Sequence, residues 1–346
     1  MKKFLVALMV LSLVGISIFA KGTQETETVK KEGMSVLVYV TGVTAGSPTY
    51  EMMVEGANDF AEGKENVKIK VYEAGFNQAE WESQLTDLVA TGEYDVVMAS
   101  NPSLPEICQN VANKFNNAKF IITDAEYAKS PQIRTFLYNQ YEQSLFLGYL
   151  AGLVTESDME FANSDKKIGF IAAQEYPLLT KHIVPGLLDG ARMVDPEITL
   201  DFRIVGNWFD ADKCSKLAES MIAGGVDVFG VIAGGAGQGL FNIAQQDGAY
   251  IVFHNTNEYA TLANYIVGCG QMKQQELVEK ALNDAYDGTL EYGKATTVGI
   301  NEGYIDFIDT DPMYKEVLSE EVRTKFDSFL KKLRNGEIEY TLPSLY

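Results

Sequence analysis

Cysteine and histidine are scarce in this chain, and its basic residues are outnumbered. Three cysteines, Cys108, Cys214 and Cys269, are spread over 346 residues with no CxxC pair, which excludes a disulfide scaffold and a thiolate zinc site. They read as core thiols, with a single long-range disulfide as the alternative. The two histidines, His182 and His254, stand far apart and in no HExxH spacing, so no metal centre is expected. There is no GxSxG nucleophile elbow and no GxxxxGK[ST] phosphate loop. His254 beside Asn255 at a strand end is the one candidate general base, and no carboxylate adjoins it. The chain therefore reads as a non-enzyme.

Lys and Arg number 28 against 48 Asp and Glu, a formal charge of −20. Phosphate-rich surfaces repel such a chain, which excludes nucleic acid and anionic membrane as partners. With Pro 9, Gly 30 and 46% hydrophobic residues, collagen-like and low-complexity readings fail and a folded core is expected.

Long apolar runs are absent but for one. Residues 4–20 follow Lys2 and Lys3 and end in Ala20, the pattern of a secretory signal peptide over 1–20, with a membrane anchor as the alternative. No cysteine lies near its end, so lipid attachment there is excluded. Residues 21–34 are polar and read as a flexible N-terminal segment. Cleavage removes Lys2 and Lys3 and no acid, taking the charge from −20 to −22. A soluble periplasmic protein is expected.

What is present is alternation. Apolar strand patterns at 36–41, 68–75, 94–101 and 118–124 are separated by helical patterns at 49–63, 77–92 and 105–117. The cycle restarts at 166–173 and runs to 249–255; a helical stretch is expected over 259–286 and a charged terminal helix over 320–336. Such repeats predict an α/β fold of two Rossmann-like lobes, each a parallel sheet flanked by helices. The expected lobes are 35–148 with 258–292, and 149–257 with 293–346.

In open α/β sheets ligands bind at the carboxyl ends of the strands. The loops there offer Thr44, Ser47, Tyr50, Gln78, Asn101, Gln174, Tyr176, Trp208, Asp210, Gly235 and Asn255, and Tyr141 follows a further strand. Amides, hydroxyls and rings with few charges suit a small neutral aromatic ligand. Asp210 also fits a helix cap, Tyr141 a hinge position, and the AGGAGQG run (233–239) close strand–helix packing.

Four segments go further: ATGEYDVVMASNPSLPEICQNVANKFNNAKFIITD, NQYEQSLFLGYLAGLVT, KKIGFIAAQEYPLL and IVGNWFDADKCSKLAESMIAGGVDVFGVIAGGAGQGLF. Through them the chain, over about 35–335, resembles the basic membrane protein family of ABC-transporter substrate-binding proteins. That group includes purine nucleoside receptor lipoproteins of spirochaetes. The resemblance implies a type I periplasmic binding fold, with two lobes joined by three crossovers and closing on one ligand. It implies delivery to an inner-membrane permease powered by a separate ATPase, and a monomer without a cofactor. Trp208 matches the second-lobe stacking ring, Asn255 the place of a ribose-binding acid, and 41–50 the first-lobe binding loop. Here TGVTAGSPTYE replaces the aspartate-rich Ser-Phe-Asn loop of nucleoside binders, and GSPTYEM and GFNQAEWES look like the family's riboflavin-binding branch. Riboflavin is thus the expected cargo. A purine nucleoside is the alternative, and an enzyme acting on nucleosides the more distant one.

Overall fold

The computed structural model describes residues 33–345. The signal-peptide reading and most of the segment 21–34 lie outside them, though Met34 already opens the first strand. The chain begins with β1 (Met34–Val40), α1 (Pro48–Ala61), β2 (Val67–Glu73), α2 (Gln78–Ala90), β3 (Val96–Ser100), α3 (Leu104–Lys114), β4 (Phe120–Thr123) and β5 (Ile133–Tyr138). Every residue of β3, β4 and β5 is buried, as expected of strands covered on both faces by helices. Pro48 and Pro105 sit in the first turns of α1 and α3, where a missing N–H costs nothing.

After α4 (Gln140–Thr155) the pattern repeats as β6 (Lys167–Ala172), α5 (Val184–Arg192), β7 (Thr199–Ile204), α6 (Ala211–Ile222), β8 (Val226–Ile232), α7 (Gln238–Ile243), β9 (Tyr250–Phe253) and β10 (Ile266–Met272). The chain then forms α8 (Gln274–Tyr286), β11 (Ala295–Val298), β12 (Ile305–Phe307), α9 (Pro312–Val317) and α10 (Glu320–Arg334). One sheet has the order β11-β5-β4-β3-β1-β2 and the other β12-β10-β9-β8-β6-β7. This is the expected two-lobed α/β architecture, parallel throughout except for the edge strand β12, which runs antiparallel to β10. Among the described residues no helix is long and apolar enough to cross a membrane, and all three cysteines are free and buried.

The expected lobe boundaries need correction. α4 packs on α5 and belongs whole to the second lobe, β10 lies in the second sheet, and β11 closes the first. The stretch 259–286 is likewise not one helix, because β10 occupies its middle. Gly268 and Gly270 hid that strand. A Cβ on Gly268 would strike Leu150, and one on Gly270 would come within 2.8 Å of Gln143. These glycines let α4 cross β10 at close range.

Helix α4 is buried at every residue but Tyr149. It presents Gly148 and Gly152 to α5, which answers with Gly186 and Gly190. A Cβ on Gly148 would collide with the Leu187 carbonyl, and one on Gly190 with that of Leu145. Small residues four apart on both helices permit backbone-to-backbone approach.

Three crossovers join the lobes, at β5–α4, β10–α8 and β11–β12. They are bonded to one another. Tyr138 Oη donates to Gln274 Oε1 at 2.6 Å, the Lys273 amide to the Tyr304 carbonyl at 2.9 Å, and the Ile300 amide to Glu142 Oε2 at 2.8 Å. The chain end returns over this junction, where Tyr340 Oη donates to Glu142 Oε1 at 2.9 Å and accepts from Asn139 Nδ2 at 2.8 Å.

Candidate functional site

Parallel strands place all their carboxyl ends along one edge, where helix N-termini leave backbone donors free. Asp124 follows β4 in the first lobe and Tyr176 follows β6 in the second. Burial holds the Tyr176 phenol above its ordinary pKa, and the Asp124 carboxylate acts in the same direction. It acts likewise on Tyr50, from the first lobe. One acid thus acts electrostatically on tyrosines of both lobes.

In the first lobe Tyr50, two residues into α1, turns its hydroxyl back to Thr41 Oγ1 at 2.6 Å, and Asn101 Nδ2 donates to the same oxygen at 3.0 Å. The 41–47 loop is held by its amides: Thr44 N donates to Glu73 Oε1 at 2.7 Å and Gly46 N to Glu51 Oε1 at 2.8 Å. Thr44 Oγ1 is buried without a hydrogen-bond partner. Asp124 adopts a left-handed backbone (φ 56°) and accepts from Gln140 Nε2 at 2.9 Å. Desolvation pushes its carboxyl up to about 7, against the Gln140 bond, which pulls it down. Near neutral pH this group both donates and accepts, so it can read either edge of a heterocycle.

In the second lobe Trp208 follows β7, and its Nε1 donates to Gln174 Oε1 at 3.2 Å. Its ring lies on Gly234 (φ 54°), where a Cβ would stand 3.2 Å from Cε3. The Ala236 amide donates to the Trp208 carbonyl at 3.0 Å. The glycine run is thus the seat of the indole: Gly235 is exposed beside it, and Gly239 lets α7 approach α6. Asn255 is also left-handed (φ 76°), and its Oδ1 is buried without a partner. Buried polar atoms of this kind usually find partners, and both orphans, on Thr44 and Asn255, lie in strand-end loops of opposite lobes.

Other candidates have different tasks. Asp210 caps α6, accepting from the Lys213 amide at 2.9 Å. Tyr141 is buried between α4 and α5, donating to Asp189 Oδ2 at 2.8 Å with its ring 5.6 Å from that of Tyr340. Ser47 stands at the start of α1 without a side-chain cap bond. Gln78 is exposed at the start of α2 and makes no side-chain hydrogen bond to the other candidates. His254 is poorly placed to act as a base toward the cleft: it is buried against Phe170, is hydrogen-bonded through Nε2 to Ser144 Oγ at 3.0 Å, and burial pulls its pKa down to about 3.

Three residues at these edges were not singled out as ligand contacts from sequence. Asp124 ends the strand pattern FIITD, where a lone aspartate fits a helix cap or a sugar hydroxyl alike. Phe76 and Phe209 are isolated rings in turns, 72% and 80% exposed; an aromatic placed directly after a strand-ending glycine or tryptophan was the available signal.

A family model described as "ABC transporter substrate-binding protein PnrA-like" (Bmp) matches residues 34–339. The chain is similar to a "CD4+ T-cell-stimulating antigen" of Listeria monocytogenes, 21% identical over 299 residues, covering 82% of this chain and 79% of that protein. An "ABC transporter nucleoside-binding protein BmpA" of Lactococcus lactis is 27% identical over 152 residues, covering 44% of this chain and 41% of that protein. Among solved structures, an ABC transporter solute-binding protein from Aeropyrum pernix superposes with a TM-score of 0.77 at 20% identity, covering 90% of this chain and 94% of that one.

Proposed function

The chain belongs to the Bmp family of PnrA-like ABC-transporter substrate-binding proteins, and on that premise we propose that it captures a nucleoside between its lobes and delivers it to a membrane permease driven by a separate ATPase. The observation that carries this reading is the cleft acid Asp124, raised to about 7 and acting electrostatically on Tyr50 and Tyr176 from opposite lobes. A carboxyl that shares its proton pairs with the mixed donor and acceptor edge of a nucleobase. Trp208 supplies a stacking face, and the orphan oxygens of Thr44 and Asn255 supply acceptors for sugar hydroxyls. The nucleoside-binding name of the Lactococcus relative supports the same ligand class.

Riboflavin is the second reading. A wide indole at Trp208 matches a tricyclic ring, and the amides of Asn101 and Gln174 match its dione edge. In either case the chain binds and releases without turning its ligand over, working outside the cytoplasmic membrane after removal of residues 1–20.

Calorimetric titration of the chain from residue 21 with guanosine, inosine, adenosine and riboflavin separates the readings. Tight nucleoside binding with recovery of unaltered ligand is expected. Riboflavin binding alone overturns the nucleoside in favour of the flavin, and sustained product formation overturns capture altogether.

A further inference from the structure

The two lobes repeat one loop. β2 and β7 hold equivalent outer positions in their sheets, each beside the strand that opens its lobe. After β2, the Ala74 amide donates to the Val40 carbonyl at 2.8 Å and the Gly75 amide to that of Gly42 at 3.2 Å. After β7, the Val205 amide donates to the Ala172 carbonyl at 2.8 Å and the Gly206 amide to that of Ala173 at 2.7 Å. Both glycines have positive φ, 68° and 98°, so both chains turn the same way as they leave the sheet. Aromatic residues follow in both cases: Phe76 in the first lobe, Trp208 and Phe209 in the second. Asn77 and Asp210 then stand at the N-cap positions of α2 and α6.

The first lobe lacks any other free ring at this edge. Residues 41–49 contain no aromatic, and the Tyr50 hydroxyl is bound to Thr41. Gly42 lies between the two rings: a Cβ there would be 3.1 Å from Phe76 Cε1 and 3.3 Å from Tyr50 Cε2. Phe76 therefore rests beside Tyr50 and yet leaves 72% of its surface in water. Apart from Met193, the exposed large apolar side chains among the described residues (Val43, Phe76, Trp208 and Phe209) all stand in strand-end loops. Apolar surface gathered at one functional edge marks a binding face.

The geometry points to Phe76 as the first-lobe ring that stacks on the flat heterocycle of the ligand, opposite Trp208. This assignment rests on the capture reading above and adds a contact to it. A planar ligand covers Phe76 on one face and Trp208 on the other as the lobes meet, removing both from water.

The test uses the chain from residue 21, with guanosine and riboflavin as probes and the variants Phe76→Ala, Phe76→Leu and Phe76→Trp. For whichever probe the wild-type chain binds, Phe76→Ala is expected to weaken affinity by about tenfold or more. Phe76→Leu, apolar but without a π-face, stays weak, and Phe76→Trp recovers to within about threefold of wild type. The tryptophan placed at 76 also changes its emission when the probe enters. Because Phe76 is exposed, all three variants keep the wild-type melting temperature. Wild-type affinity in Phe76→Ala, or full recovery in Phe76→Leu, overturns the stacking role while leaving capture intact. A wild-type chain that binds neither probe, nor inosine or adenosine, overturns the capture reading itself, and the stacking role with it.

Discussion

In the first lobe the cleft wall is stitched by side-chain hydrogen bonds, Asn101 to Thr41 and Thr41 to Tyr50. In the second lobe the corresponding ring, Trp208, has one side-chain bond and otherwise lies on a glycine turn. Elsewhere in that lobe, Gly148 and Gly152 of α4 face Gly186 and Gly190 of α5. The first wall is therefore sensitive to loss of a polar atom, and the second lobe to added volume at its helix seam. One fold, used twice, positions its ligand-facing groups by two different physical means.

The largest break in that comparison comes from volume. Gly190→Ala would drive a methyl group into the Leu145 carbonyl, which has no room to yield. Urea unfolding should show a loss of about 3 kcal/mol, more than the helix propensity of alanine returns. Next in size is Trp208→Ala. Ligand affinity should fall by roughly 1–3 kcal/mol while unfolding stability stays within about 0.5 kcal/mol. Unchanged affinity would remove the indole from the site. Tyr141→Phe deletes the bond to Asp189 and should cost about 1 kcal/mol of stability with no change in binding, which separates helix-packing residues from cleft residues in the second lobe.

A further effect belongs to the first lobe and depends on pH. The Asp124 carboxyl rises from 3.8 to about 7 in the folded chain. Folding thus favours the protonated acid, and the folded state binds more protons between those two values. The contribution of Asp124 to stability is fullest below pH 4 and is lost as pH rises toward 7. Asp124→Asn cannot titrate there, so the wild type should lose stability relative to the variant between pH 4 and pH 7. A difference that stays flat, or runs the other way, would show that the carboxyl ionises as it does in water.

The alternation of strand and helix was legible because buried strands such as VVMAS and FIIT are unbroken apolar runs closed by polar turns. β10 was not, because Gly268 and Gly270 are there for the passage of α4, a contact between residues more than a hundred positions apart. The cleft was legible at Trp208, which stands in the turn after a strand. Asp210 and Tyr141 looked equally suited to a ligand because a capping carboxylate and a helix-packing phenol are the same groups that hold a sugar or a base; only burial and bonded partners tell them apart. Phe76 was passed over for the opposite reason. A lone ring in a turn has no periodicity, and its meaning comes from the matching loop in the other lobe.

Glu142 joins two of the three crossovers and the returning chain end with its two carboxylate oxygens, and the third crossover is bonded to both of its neighbours. One buried carboxylate thus serves two crossovers and the chain end together, so its loss would untie all three at once.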